Sequence, residues 1–221
     1  MRTELPSGTP VELARPAGEA AGGLVVAPDI GGLRPLFDDL CARLAEENRW
    51  VVAAPEPFAG QADMPVDQRL AAAGGLDDAR VLGDLRAAAD LTGVERVGIV
   101  GFCMGGMYAL KASGTGRFAA AVAFYGMIRV PEQWRGPAQG EPLEALGRPG
   151  RCPVLAIIGG HDHWTPPGDV DALRQVPGVE VVVYPDAEHG FAHDASRPSH
   201  RPDDAADAWG RAVAFLGGAL G

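Results

Sequence analysis

Positive charge is scarce in this chain. Lysine and arginine total 19 against 29 acidic residues, giving a formal net charge of −10. That balance argues against nucleic acid or an anionic membrane as a partner. It leaves an anionic small molecule open, because local arginines override a global field. Cysteine is sparse too: Cys41, Cys103 and Cys152 are an odd set without tight spacing. The pattern argues against a disulfide framework or a zinc ribbon and fits a reducing compartment. No apolar run approaches the length of a membrane span, and the N-terminus lacks a charged-then-apolar signal pattern. A cytoplasmic location is therefore expected. Internal repeats and low-complexity tracts are missing as well. What remains is ordinary globular composition, 47% hydrophobic and 22% charged. Its 221 residues suit one α/β domain over 1–221, with no boundary visible and a monomer as the default.

Short apolar runs alternate with helical patterns. Buried-strand candidates are 23–27, 50–54, 96–100, 118–124, 153–158 and 179–184. Helical faces occupy 36–49, 76–92, 104–113, 169–175 and 202–216, the last with Pro202 in its first turn. Residues 56–75 read as a loop or lid, and 127–150 as irregular chain rich in Pro and Gly. This order predicts a single doubly wound, mostly parallel sheet with helices on both faces.

One segment carries chemistry. Gly101-Phe102-Cys103-Met104-Gly105 joins a strand to a helix, the small-x-nucleophile-x-small pattern of the α/β-hydrolase nucleophile elbow. Cysteine stands where most such turns carry serine. The pattern requires an acid and then a histidine, each on a loop after a later strand. Gly159-Gly160-His161-Asp162-His163 follows one strand, and Asp186-Ala187-Glu188-His189-Gly190 the next. Loops after parallel strands gather at the carboxyl edge of the sheet, so Cys103, Asp162 and His189 can meet. In that arrangement His189 takes the thiol proton and later protonates a leaving group. Asp162 fixes the imidazole tautomer and stabilises the imidazolium. The helix N-terminus favours a thiolate at Cys103. The Met104 N–H is one oxyanion donor, and Ile30, on the loop after the first core strand, is the candidate for the second.

Each residue also has a plain reading. Cys103 alone is an apolar filler, Asp162 a turn cap and His189 a loop histidine. It is the order and the strand-end placement of all three that favour the triad. His161, His163, His189 and His193 with Asp162 offer a rival metal reading. No zinc-protease signature accompanies them, and no lysine with Walker spacing follows the glycines. No metal and no organic cofactor is expected.

These motifs together resemble the dienelactone hydrolase family over roughly residues 20–215. The elbow Gly-Phe-Cys-Met-Gly-Gly, the acid loop Gly-Gly-His-Asp-His-Trp-Thr-Pro and the histidine loop Tyr-Pro-Asp-Ala-Glu-His-Gly-Phe are all similar to its motifs. Ala-Val-Ala-Phe-Tyr-Gly at 121–126 resembles the family's strand end near the substrate. The resemblance implies an α/β-hydrolase fold and opening of an unsaturated lactone through an acyl-thioester. It also implies a glutamate that modulates the thiol, a place taken here by Asp29. It implies arginines on the substrate carboxylate as well. His193 stands at one such place, and Arg69 is the nearest basic residue at the other. Phe37, Tyr125 and Trp164 are candidate pocket residues, with core packing as the alternative. The departures at 29 and 193 keep a broader ester or thioester hydrolase in play. A catalytically weak ligand-binding module on the same fold is the rival from another class.

Overall fold

The computed structural model describes all 221 residues. Eight strands form one sheet in the order β1-β2-β4-β3-β5-β6-β7-β8. They are β1 Arg2–Glu4, β2 Pro10–Ala14, β3 Gly22–Ala27, β4 Trp50–Pro55, β5 Val97–Phe102, β6 Ala121–Phe124, β7 Val154–Gly159 and β8 Val179–Tyr184. The first two strands pair antiparallel at one edge, and all pairings from β4 onward are parallel. The six predicted strands are all present. The sequence reading missed β1 and β2. β1 is three polar or charged residues, and neither strand is a buried apolar run.

Helices cover both faces: α1 Pro35–Asn48, α2 Val66–Ala72, α3 Asp78–Leu91, α4 Met104–Ser113, α5 Pro142–Leu146, α6 Pro167–Arg174 and α7 Pro202–Leu220. Side chains alternate across each strand and so feed two cores. Leu24, Val26, Val52, Val100, Phe102 and Phe124 point to the α1/α7 side and pack with Phe37 and Leu216. Val25, Val51, Ala53, Ile99 and Ala123 point to the other side, with Leu85, Met107 and Leu173. Each fully buried Leu, Val or Phe contributes about 1.5–3 kcal/mol of transfer free energy, which makes the central strands the rigid part of the molecule. No helix is long and apolar enough to cross a membrane.

Two stretches expected to be irregular hold short helices. α2 lies within 56–75, and α5 and a 3-10 turn at Glu132–Trp134 lie within 127–150. Pro142 at the start of α5 fits the first helical turn, where the missing N–H costs nothing.

Candidate active site

Strand β5 ends at Phe102, and α4 begins two residues later at Met104. Cys103 makes the whole turn, with φ 56° and ψ −118°. That left-handed backbone is uncommon for any residue but glycine and is a mark of functional strain. The turn is possible only because its flanks lack side chains. A Cβ on Gly101 would lie 2.0 Å from the Gly105 carbonyl oxygen, and a Cβ on Gly105 would lie 2.0 Å from that of Ala27. The second contact presses the start of α4 against the end of β3, and so brings the loop carrying Ile30 to the elbow. As first residue of α4, Met104 has no intrahelical acceptor for its N–H. The Ile30 N–H is likewise bound to no backbone or side-chain acceptor of the protein.

Loops after β7 and β8 supply the acid and the histidine. His189 Nδ1 lies 2.8 Å from Asp162 Oδ2. The other Asp162 oxygen accepts the Trp164 backbone N–H at 2.9 Å, which fixes the carboxylate within its turn. Burial opposes charge on His189, but hydrogen bonding to Asp162 and the neighbouring Cys103 outweigh it and raise its pKa to about 9. Nε2 of His189 is buried, with no partner at hydrogen-bonding geometry. The Cys103 influence is thus that of a nearby thiol rather than of a formed bond. Among the three free thiols only Cys103 is partly exposed. Burial pushes Cys41 up to about 12 and Cys152 up to about 11, so both are unreactive at neutral pH.

Asp29 does not reach the thiol. Its oxygens accept from the Gly31 N–H at 2.9 Å, from both Arg34 Nη atoms at 2.6 and 2.9 Å, and face His193 Nε2 at 2.8 Å. Burial alone would raise its pKa, yet His193 and Arg34 hold the carboxyl well below the usual range. It is therefore a carboxylate, and His193 Nε2 donates to it. The remaining nitrogen, Nδ1, then accepts from the buried Tyr125 hydroxyl. His193, kept neutral by burial, has no atom left for a substrate.

Arg69 is also misplaced by the sequence reading. It is 1% exposed and donates to Glu56 at 2.7 Å and to the carbonyls of Met64 and Ala62 at 2.9 and 2.6 Å. Glu56 in turn accepts the N–H groups of Leu33 and Phe58. The pair ties the 61–64 segment to the loop that carries Ile30. Its only sequence signal was a glutamate between two prolines, Pro55-Glu56-Pro57, directly after a buried strand. Phe37 is fully buried against Phe102 and His193, so it belongs to the core. Tyr125 is fully buried as well, and its ring lies edge-on to His189 at 5.2 Å. Of the aromatic candidates Trp164 alone borders an open groove, stacked on Trp134 at 5.5 Å.

That groove, about 550 Å³ and bordered by His189, has room for a small ester. A narrow cleft of about 20 Å³ behind the elbow fits at most one water. No group of three or more His, Cys, Asp or Glu side chains is arranged to hold a metal ion.

The dienelactone hydrolase family model matches residues 10–220. The chain belongs to the dienelactone hydrolase family. An Escherichia coli K12 protein named "Putative carboxymethylenebutenolidase" is 32% identical over 210 residues, 87% of this chain and 75% of that one. The carboxymethylenebutenolidase of Rhodococcus opacus is 30% identical over 224 residues, 96% of this chain and 87% of the relative. A crystal structure of a "Putative Dienelactone Hydrolase" from Klebsiella pneumoniae superposes with TM-score 0.87 at 28% identity, covering 98% of this chain and 97% of the other. Family and fold make this dienelactone hydrolase-like chain a hydrolase of the α/β-hydrolase type.

Proposed function

We propose that this dienelactone hydrolase relative cleaves a lactone or small carboxylic ester by thiol chemistry, with Cys103, His189 and Asp162 as nucleophile, base and acid. The observation that carries the reading is the strained elbow at Cys103 beside a histidine oriented by a buried carboxylate. The Cys103 sulfur attacks the substrate carbonyl while His189 Nε2 holds the thiol proton. The tetrahedral oxyanion is received by the N–H groups of Met104 and Ile30. When the carbon–oxygen bond breaks, His189 gives its proton to the leaving oxygen and an acyl-thioester remains. Water, deprotonated by His189, attacks that thioester, and carbon–sulfur cleavage releases the acid and restores the thiol. Asp162 keeps the imidazole proton on Nδ1 at each stage.

The internal pairing of Asp29, His193 and Arg69 favours a range wider than dienelactone. The groups expected on a substrate carboxylate, or on the thiol, are bound to one another or to the backbone. Saturated lactones, aryl esters and thioesters all fit the proposed chemistry.

A panel of aryl esters and lactones tests this reading. Cys103→Ala and His189→Ala should each lower turnover at least about 100-fold. Mass spectrometry of wild type quenched during turnover should find the acyl group on the peptide containing Cys103. Full activity in Cys103→Ala, or acylation at another residue, would refute the assignment.

A further inference from the structure

We propose that residues 127–141 build a second substrate groove in this enzyme, one that takes a planar aromatic ring on the leaving-group half of an ester. Which half lies there rests on the thiol-hydrolase reading above. The groove itself rests on the geometry of the segment.

Strand β6 ends at Phe124 and α5 begins at Pro142, and only one 3-10 turn lies between them. Most connections run about 4–6 residues, and long stretches without regular structure are kept mainly where they bind something. This one is fastened along its length. The Arg129 guanidinium donates to Asp169 at 2.9 Å, and the Val130 N–H donates to Glu141 at 2.9 Å. Gln139 donates to the Ala73 carbonyl at 2.7 Å, and the Gly140 N–H to Asp78 at 2.9 Å. Asp78 is itself clamped by the buried Lys111 ammonium at 2.9 and 3.0 Å. A Cβ on Gly136 would lie 2.0 Å from the Gly74 carbonyl oxygen, so the two loops meet backbone to backbone. A wall held this way loses little freedom when a ligand meets it.

The wall leads to a row of aromatic rings. Trp134, buried in its turn, stacks on Trp164 at 5.5 Å and 25°. Trp164 lies 5.0 Å from the ring of the exposed His163 and 6.4 Å from the ring of His189. His163 and Trp164 border two grooves at once. One is the groove of about 550 Å³ beside His189, and the other, of about 520 Å³, is lined by Arg129, Val130, Gln133 and Arg135. The two side chains are the ridge between them. A small ester fills only the first groove, whereas a substrate one ring longer crosses the ridge into the second. Trp164 is half-buried there and hydrogen-bonds only through its backbone N–H, so its ring is free to receive a partner. Offset stacking on indole and imidazole, with the exposed Arg135 guanidinium on the same groove, favours a flat π face over a puckered aliphatic one.

Sheet order selects the half of the substrate. Ile30 follows β3, on one side of the elbow at the end of β5. The 127–141 segment, Trp164 and His189 follow β6, β7 and β8, on the other side. His189 must face the leaving oxygen to protonate it. The groove beyond it therefore belongs to the alcohol side of the scissile bond.

Four esters separate the possibilities: phenyl acetate; 4-biphenylyl acetate, one ring longer on the leaving group; 4-cyclohexylphenyl acetate, equally long but not flat; and phenyl biphenyl-4-ylacetate, with the added ring on the acyl group. Trp164→Ala should lower the kcat/KM ratio of 4-biphenylyl acetate to phenyl acetate by about 5–30-fold, through KM, and Trp164→Phe should restore most of it. Arg135→Ala, at an exposed position, should lower the same ratio by about 2–5-fold. An unchanged ratio in either alanine variant, an equal loss for 4-cyclohexylphenyl acetate, or a loss confined to the acyl-extended ester would overturn the proposal. Calorimetric binding of 4-phenylphenol separates this from a failure of the thiol assignment. It should persist in Cys103→Ala and weaken by about tenfold or more in Trp164→Ala. Undiminished binding in Trp164→Ala refutes the aromatic groove even if Cys103 is the nucleophile.

Discussion

Replacing Asp162 by asparagine changes almost no volume and tests the acid–base assignment directly. Both carboxylate oxygens are in use, one toward His189 Nδ1 at 2.8 Å and one toward the Trp164 N–H at 2.9 Å. Asparagine offers one acceptor and one donor, so it cannot serve both. If its oxygen keeps Trp164, its amide nitrogen faces Nδ1, and the ring proton moves to Nε2. Nε2 then cannot take the thiol proton. A wrong tautomer of this kind lowers kcat by about 10⁴, or about 5 kcal/mol of barrier. If the oxygen keeps His189 instead, two N–H groups meet in a buried turn at about 1–3 kcal/mol in stability. The imidazolium also loses its counter-charge. Either way kcat/KM should fall by about 10²–10⁴.

The pH dependence of that variant carries a sign. His189 is raised from 6.5 to about 9, with burial opposing the charge and Asp162 and Cys103 supporting it. A raised pKa stabilises the fold fully below pH 6.5, and the contribution is lost as pH rises through about 9. The stability gap between wild type and Asp162→Asn should therefore be widest below pH 6.5 and narrow above about 9. Steady-state kinetics on an aryl ester and denaturant melts from pH 5 to 10 measure both effects. Activity within tenfold of wild type, or a gap that widens at high pH, would refute the argument.

Two further substitutions probe the scaffold. Gly105→Ala places a methyl 2.0 Å from one backbone oxygen and 2.4 Å from another, so it should destabilise the fold by about 3 kcal/mol and displace the loop carrying Ile30, read as a lower melting temperature and a lower kcat. Asp29→Asn should lose about 3–5 kcal/mol at neutral pH by leaving Arg34 without its anion and weakening the acceptor of the neutral His193. Because the Asp29 pKa is depressed, that stabilisation exists above the ordinary carboxylate range and fades as pH falls below it. Urea melts of wild type and variant should accordingly converge under strongly acid conditions.

What the sequence made legible has a physical pattern. Central strands announce themselves because both of their faces are buried, so β3, β4, β5, β6 and β7 read as apolar runs with turn residues at their ends, and the half-buried edge strand β8 is legible from its run of valines. The opposite edge strand β1 and its neighbour β2 carry too few apolar residues to do so. The meeting of Cys103, Asp162 and His189 at one sheet edge was legible because each sits at a turn or loop just beyond a strand. The partners of Asp29 and Arg69 were not. Asp29 meets a histidine 164 positions away, a pairing no local spacing encodes. Arg69 meets a glutamate across a turn whose path depends on the fold.

The buried Glu56–Arg69 pair has a consequence for how this enzyme can diversify. One guanidinium gathers the carbonyls of the covering segment, and its carboxylate partner holds the backbone beside Ile30. The 61–64 segment and the loop carrying Ile30 are thus one mechanical part. Grafting the 58–72 segment from a relative to change substrate choice would shift the loop that carries Ile30. Under the proposed mechanism, selectivity and turnover are inherited together rather than tuned separately.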